Sequence, residues 1–172
     1  MNKKIIFLIT IFVFICLCIY YFYPEKKLPA NSRIDTLVVY KSKRQMLAYS
    51  DGIFIKDYTI SLGGNPVGKK QFKDDQKTPE GIYSINSKST ISNYHKYLSV
   101  SYPGTEDKLN ANMHNKEPGG LIEIHGLPNK FGFIAKFQRW YDWTAGCIAV
   151  TNEEIDELYA SVKVGTRIEI YP

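Results

Sequence analysis

The most hydrophobic part of the chain is a continuous stretch near its N-terminus. From Ile5 to Tyr23 there is no charged residue, no proline and no glycine. These 19 residues, at about 1.5 Å of rise per residue, form a helix that spans the ~30 Å hydrocarbon core of a bilayer. Thr10 alone cannot provide the polar face of a helix that packs on a soluble core. The pattern predicts an N-terminal membrane anchor over residues 1–23.

The residues on either side of this stretch predict its orientation. Lys3 and Lys4 precede it and favour the cytoplasm by the positive-inside rule, whereas tyrosines at its far end suit the opposite interface. The rest of the chain is therefore expected outside the cytoplasm, held by a single pass. A cleaved signal peptide is the alternative, although its apolar region is usually shorter and small residues follow it closely.

Beyond the anchor the pattern changes twice. Residues 24–33 are polar with two prolines, which is typical of a short linker. From residue 34 to residue 172, short runs of β-branched and apolar residues alternate with turn residues. The predicted strands are 36–40, 46–49, 53–61, 82–85, 98–102, 121–125 and 167–171, with a tight turn at Asp51-Gly52.

One helix is predicted near the C-terminus. Thr151 and Glu154 have the spacing of a capping box, and apolar residues then recur at helical spacing from Ile155 onward. The helix is expected over about 152–162, with Gly165 ending it. The fold class that follows is mainly β (α+β), one domain over residues 34–172 with a short helix in its C-terminal region.

Charge adds little to this picture. The net charge of +5 falls to +3 without Lys3 and Lys4, so the external part is only mildly basic. Such a surface is weakly attracted to an anionic envelope. It lacks the clustered basic footprint of a nucleic-acid-binding protein, so no nucleic-acid partner is expected. The lysines of the polar loop 63–80 are expected to form a solvated surface.

The cysteines are unevenly placed. Cys16 and Cys18 lie in the apolar stretch, which leaves Cys147 as the single external thiol and excludes an internal disulfide there. The spacing of Cys147 and the three histidines matches no compact zinc pattern, so no metal is expected. An external free thiol is a liability unless it is buried or reactive.

Cys147 and His125 are candidates for nucleophilic catalysis. Cys147 follows Ala145 and Gly146, which leave room before the sulfur, and His125 ends a predicted strand. A cysteine nucleophile commonly needs an imidazole to take its proton. The residue types alone also fit the alternative in which Cys147 is a small buried apolar residue and His125 a hydrogen-bonded core histidine.

The wider context of these two residues resembles one known family. His125-Gly126, followed by Thr144-Ala-Gly-Cys-Ile148, is similar to the signature of the L,D-transpeptidase (YkuD-type) catalytic domain. The resemblance covers residues 36–171 and includes the turn Thr78-Pro-Glu-Gly81. It implies an L,D-transpeptidase-like β-sandwich, here preceded by a helix that anchors it in a bacterial cytoplasmic membrane.

The resemblance also implies a mechanism. Cys147 corresponds to the acylated nucleophile, His125 to the base, Gly126 to the residue whose carbonyl orients that base, and Gly146 to a backbone contributor to the oxyanion site. Cys147 would attack the L-configured third residue of a peptidoglycan stem peptide and release D-Ala. A diamino-acid amine of a second stem would then complete a 3→3 cross-link, without metal or organic cofactor.

Two positions depart from the family pattern. Ala145 stands where many members carry His, and Ala149 where many carry Arg. The resemblance and sequence proximity suggest a substrate-binding set of Thr144, Trp143 and Arg139, with Arg139 replacing the missing arginine. The aromatic stretch 131–143 is either a packed connection or a wall over the cleft.

Two other functions remain open. The sequence Gly146-Cys-Ile-Ala-Val-Thr151 resembles a sub-branch that includes an amidase which releases proteins from peptidoglycan. The same Cys147 and His125 could therefore serve a hydrolase, either an L,D-carboxypeptidase or such an amidase with an envelope protein attached to peptidoglycan as partner. The second alternative is an inactive cell-wall-binding module.

Overall fold

The computed structural model describes residues 2–172. It begins with helix α1, Lys3–Phe22, whose first turn is capped by the Asn2 side chain. The mean hydropathy over an 18-residue window of α1 is 2.9, and no residue in it is buried. By length and composition α1 could cross a membrane, as an anchor or as a signal sequence.

The remainder forms one curled, mixed sheet of eight strands with helices around it. The sheet order is β3-β2-β1-β8-β4-β5-β6-β7. The strands are β1 Ile34–Tyr40, β2 Gln45–Ser50, β3 Ile53–Thr59, β4 Gly81–Ser89, β5 Tyr97–Val100, β6 Glu123–His125, β7 Ile148–Ala149 and β8 Val162–Tyr171. The other helices are α2 Thr105–Met113 and α3 Asn152–Ser161, with short 3-10 segments at Lys41–Lys43 and Gly132–Trp140.

Strand β4 divides the sheet into two halves. Its first residues, from Gly81, pair with β8, and its later residues, from Ile85, pair with β5. The two ends of the curled sheet meet after β3, where the backbones of Ser61 and Ala149 exchange hydrogen bonds of 3.0 and 2.8 Å. The predicted fold class is confirmed, with the two halves belonging to one continuous sheet. The curl brings β7 next to the loop that follows β3.

The interior between these halves is apolar. Leu37, Ile85 and Leu98 are fully buried on three different strands, and Ile155 and Leu158 of α3 join them. Each side chain of this size contributes about 1.5–3 kcal/mol on burial. The core therefore packs against β6 and β7. This packing fixes the C-terminal end of β6 and the N-terminal end of β7.

Helix α3 begins as predicted and ends differently. The side chains and backbone N–H groups of Thr151 and Glu154 bond reciprocally, at 3.3 and 2.9 Å. Gly165 does not end the helix. The chain passes directly into β8 at Val162, which is buried and extended, and Gly165 lies inside that strand at a register irregularity. The prediction for Gly165 was wrong because its positive φ of 93° serves a bulge rather than a helix C-terminus.

Candidate active site

The two candidate catalytic residues lie on neighbouring parallel strands. Strands β6 and β7 pair with Ile124 opposite Ile148 and His125 opposite Ala149. Cys147 immediately precedes β7, so the same register places it opposite Glu123, at the start of β6 and two residues before His125. Two segments far apart in the chain are brought together by the sheet, as the sequence motif predicts.

The imidazole of His125 is held in its neutral form. Its side chain is buried, and Nδ1 lies 2.7 Å from the Gly126 carbonyl oxygen. Because a carbonyl oxygen only accepts, Nδ1 carries the proton and the Nε2 lone pair is left for another partner. Burial lowers the pKa of His125 below its ordinary 6.5, and the Gly126 hydrogen bond acts in the opposite direction. The predicted orienting carbonyl of Gly126 is therefore in place.

Two aromatic rings enclose the imidazole. The Tyr94 ring centroid lies 4.5 Å from that of His125, and the Trp143 centroid lies 5.6 Å away in an edge-on arrangement. Trp143 is itself fixed, since its Nε1 donates to Gln138 Oε1 at 3.0 Å. Trp143 therefore lies in the site as a wall beside the base. Sequence reasoning missed Tyr94, whose isolated position in a polar loop carried no signal.

The thiol of Cys147 does not contact the imidazole in this conformation. Sγ donates to the Leu121 carbonyl oxygen at 3.3 Å, and within residues 2–172 no hydrogen bond joins Cys147 to His125. Burial raises the pKa of Cys147 to about 11. The Glu123 backbone N–H and the Lys70 ammonium lower that pKa, whereas the Glu123 carboxylate raises it. The resting thiol is protonated, so its reaction needs a base.

The turn before Cys147 is built on Thr144. Thr144 Oγ1 donates to the Cys147 carbonyl oxygen at 2.8 Å and accepts the Gly146 N–H at 3.1 Å. Thr144 is buried, and its own N–H donates to Leu62 O. This side chain positions the nucleophile through the backbone, and its hydroxyl is not presented to a substrate as the sequence suggested.

The same bond changes the assignment of the oxyanion donors. The Gly146 N–H is already donated to Thr144, so in this conformation it cannot also receive a developing oxyanion. The Cys147 N–H makes no hydrogen bond in the described part of the chain. Of the two neighbouring backbone N–H groups, the one expected from the sequence, at Gly146, is occupied, and the one at Cys147 is left available.

Gly146 is required at its position for a steric reason. Its φ is +131°, and a Cβ there would lie 2.6 Å from the Lys77 carbonyl oxygen. Backbone atoms of the neighbouring loop cannot move aside as a flexible side chain would. Loop 63–80 therefore packs closely against the turn that precedes Cys147.

Replacing Gly146 with alanine is expected to destabilise the domain and misplace Cys147. We expect a loss of about 2–4 kcal/mol of unfolding free energy, from backbone strain and overlap together. Gly165→Ala is the matched control, because Gly165 has a φ of +93° but no atom within 4 Å of its Cβ position. The midpoint of urea unfolding measures both. Equal shifts for the two variants would show that the contact with Lys77 has no effect.

Arg139 does not lie free as a substrate ligand. Its side chain is 9% exposed, with Nη1 2.8 Å from Glu25 and Nη2 2.8 Å from Glu154. The segment Gly132–Trp140 carries it against the start of α3, where it joins the capping carboxylate. Because two carboxylates already occupy the guanidinium, we leave Arg139 out of the substrate site.

A groove opens beside the nucleophile. It has a volume of about 480 Å³. Its lining includes cations, carboxylates and backbone of the segment before β6, namely Lys70, Lys73, Asp74, Glu117, Pro118, Gly119, Gly120, Leu121 and Ala145. Leu121, whose carbonyl accepts the thiol, has a φ of 54°, a strained value for a side chain of its size. The groove adjoins Cys147 through Leu121 and Ala145, whereas Cys147 and His125 are not among the residues that line it.

Two charged groups of this region were missed by sequence reasoning. Glu123 lies in the register position beside Cys147, and burial raises the pKa of its carboxyl. Lys70 is 4% exposed, with Nζ 2.7 Å from Asp75, so the expectation that this lysine is solvated was wrong. The position of Glu123 two residues before His125 on a strand was an available signal, since both side chains share one face. Within residues 2–172 no group of three or more potential ligands is arranged to hold a metal ion.

Known proteins resemble this chain in sequence and fold. The family model of the L,D-transpeptidase catalytic domain, YkuD, matches residues 34–170. "Putative L,D-transpeptidase YafK" of Escherichia coli K12 is 29% identical over 128 residues, which are 69% of this chain and 44% of that protein. "Putative L,D-transpeptidase YqjB" of Bacillus subtilis 168 is 25% identical over 150 residues, 85% of this chain and 74% of that protein. This chain thus spans less than half the length of YafK.

A solved structure shares the fold. The helical cell shape determining protein Pgp2 of Campylobacter jejuni superposes with a TM-score of 0.62 at 23% identity, over 81% of this chain and 48% of that one. The family model covers all eight strands except the last residue of β8, together with α2, α3 and both catalytic candidates. The chain belongs to the L,D-transpeptidase catalytic domain (YkuD) family.

Proposed function

We propose that this protein is a cysteine-dependent L,D-transpeptidase that forms 3→3 cross-links between peptidoglycan stem peptides. The observation that carries the proposal is the His125 imidazole, neutral, buried and fixed by Gly126 on the strand beside Cys147. A histidine with a purely structural role in the core would hydrogen-bond through both ring nitrogens. Here Nε2 makes no hydrogen bond within residues 2–172.

The first step follows from this arrangement. Rotation of the Cys147 side chain moves Sγ from Leu121 O towards His125 Nε2, and such contacts are often loose before substrate binds. Nε2 then takes the thiol proton as sulfur bonds to the carbonyl carbon of the third stem residue. The oxyanion lies at the Cys147 N–H. When the bond to D-Ala breaks, the imidazolium returns its proton to the leaving amine.

The second step uses an amine in place of the departed D-Ala. The diamino-acid amine of another stem attacks the thioester carbonyl, His125 takes a proton from it, and the Cys147 thiol is regenerated. The mixed charges of the groove suit stem peptides, which carry both carboxylates and ammonium groups. The exposed Lys73 offers a partner for a carboxylate, and the exposed Glu117 one for an ammonium.

We further propose that the domain works outside the bacterial cytoplasmic membrane. Helix α1 serves as a single-pass anchor, residues 24–33 as the linker and residues 34–172 as the catalytic domain. The length and hydropathy of α1, and the two lysines before Ile5, support this orientation.

The deciding experiment is mass spectrometry of muropeptides incubated with the full-length chain in detergent. Disaccharide tetrapeptides are the substrate. Cross-linked dimers with release of D-Ala are the expected products. Trimmed monomers alone would establish a hydrolase that uses the same Cys147 and His125. No product from the folded wild-type protein would overturn the proposal in favour of a wall-binding module.

The rate should remain high at mildly acidic pH. Only neutral His125 accepts a proton, and its pKa is lowered, so the acidic limb of kcat/KM is expected below pH 6.5. Tyr94→Ala exposes the imidazole to water and should move that limb to higher pH, whereas Tyr94→Phe should leave it in place. Rates measured from about pH 4.5 to 8 test both expectations. An acidic limb above pH 6.5 in the wild type contradicts the assignment of His125.

A further inference from the structure

The C-terminal end of α1 packs on the aromatic segment 131–143, which joins the two candidate catalytic residues. Tyr21 Oη donates to the Phe133 carbonyl oxygen at 2.9 Å, and Tyr20 Oη donates to Lys136 O at 3.3 Å. The Phe137 ring lies 5.6 Å from that of Tyr20 and 5.7 Å from that of Tyr21. The helix therefore does not stand apart from the domain.

Buried charges reinforce this contact. Lys136 is buried, and its Nζ donates to the carbonyl oxygens of Tyr20, in the last turn of α1, and of Tyr23, which caps the helix. A cation at this end of a helix interacts favourably with the helix dipole. Glu25 then bridges Lys136 and Arg139, at 3.3 and 2.8 Å. The first residues after α1 are held by the same segment.

Next to this contact the domain exposes a group of large rings. We call Phe131, Phe133, Trp140 and Tyr141 the aromatic shelf; their exposed fractions are 49%, 69%, 61% and 65%. Trp140 lies 5.9 Å from Tyr20, ring to ring, and Phe133 accepts from Tyr21 through its carbonyl oxygen, so these two shelf residues lie beside the end of α1. Exposed apolar rings in one group indicate a contact surface.

The position of the shelf identifies its partner. A spanning helix places its terminal tyrosines at the interface between headgroups and hydrocarbon, where tyrosine and tryptophan are enriched. Since the shelf is fixed to those tyrosines, it lies at the same depth. Exposed Lys26 and Lys27 follow α1 in the chain and exposed Lys130 precedes Phe131, and such lysines suit anionic headgroups.

We infer that the aromatic shelf is a second membrane contact, inserted in the interface of the outer leaflet beside α1. The inference rests on the anchor proposed above. It means that the domain sits on the membrane and does not swing on residues 24–33. The active site is then held within a domain diameter, roughly 40 Å, of the lipid surface.

The two tryptophans of the chain provide the test. The full-length protein is reconstituted in phosphatidylcholine–phosphatidylglycerol vesicles, with and without lipids brominated near the headgroup. Trp143→Phe leaves Trp140 as the only tryptophan, and Trp140→Phe leaves Trp143. Brominated lipid is expected to reduce Trp140 emission about twofold and Trp143 emission much less, because only Trp140 lies in the shelf.

A second pair of variants tests the packing of α1 on the segment, in the Trp143→Phe background. Tyr20→Ala with Tyr21→Ala removes the rings that contact Phe137 and is expected to halve the quenching of Trp140. Tyr23→Ala is the matched control, because the Tyr23 side chain is exposed and only its carbonyl contacts Lys136.

The outcomes separate the inference from the anchor. If the protein does not float with vesicles after an alkaline wash, the anchor itself fails and the inference fails with it. If it floats but Trp140 is quenched no more than Trp143, the anchor stands and the shelf contact is overturned. Quenching of Trp140 that persists undiminished in the double tyrosine variant would overturn the role of the α1 packing.

Discussion

Replacing Cys147 with alanine is expected to abolish both cross-linked and trimmed products. Without the sulfur no thioester forms, so neither an amine nor water has an acyl-enzyme to attack. Removing the nucleophile of an acyl-transfer enzyme costs about 10⁴-fold or more, since its partner residues act only through it. The folded core should be unaffected, because Cys147 is only partly buried and lies outside the apolar cluster.

The measurement combines product analysis with the mass of the intact protein. Wild-type protein incubated with a carbapenem, a reagent that acylates nucleophilic thiols, is expected to gain one covalent adduct, and Cys147→Ala none. The double variant Cys16→Ala and Cys18→Ala is the control, because it removes the other two thiols and should keep full activity. Product formed by Cys147→Ala would refute the nucleophile assignment.

The parts of the site that the sequence predicts are those set by local rules. The capping box of Thr151 and Glu154 depends on residues three apart, and it is present. The carbonyl of Gly126 reaches His125 Nδ1 because the two residues are neighbours in the chain. The apolar stretch forms α1 because length and hydropathy alone decide it.

The parts that the sequence does not predict depend on segments distant in the chain. The sequence suggests Arg139 as a substrate-binding residue, yet folding brings it between Glu25 and Glu154. Lys70 belongs to a polar loop, yet that loop folds over the turn before Cys147, and Lys70 becomes buried. No local pattern encodes either contact, because each forms only when the curled sheet closes.

Helix α2 shows a further limit. Its residues, Thr105–Met113, have no strong apolar periodicity, and only Asp107 and Ala111 are buried. Its start depends on Asp107, whose carboxylate accepts the Gly104 N–H at 3.0 Å and the Tyr83 hydroxyl at 3.0 Å. The carboxylate thus stabilises the helix through a partner on β4, which a search for amphipathic spacing cannot detect.

Replacing His125 with glutamine is expected to slow acylation by about 10²–10⁴-fold near neutral pH, because no base then takes the thiol proton. The pKa of Cys147 is about 11, so near pH 7 about one thiol in 10⁴ ionises without help. The variant should therefore depend on the thiolate that forms spontaneously. Its rate is expected to rise about tenfold per pH unit above neutrality, where the wild-type rate is nearly constant.

Carbapenem acylation followed by intact mass between about pH 6 and 9 distinguishes this loss from a structural defect. His114→Gln is the matched control. The His114 side chain is exposed and hydrogen-bonds only to the Asn110 carbonyl oxygen among the described residues, so this variant should keep both the rate and the flat profile. A His125→Gln profile parallel to the wild-type profile, merely lowered, would mean that the imidazole supports the fold and that another group takes the proton.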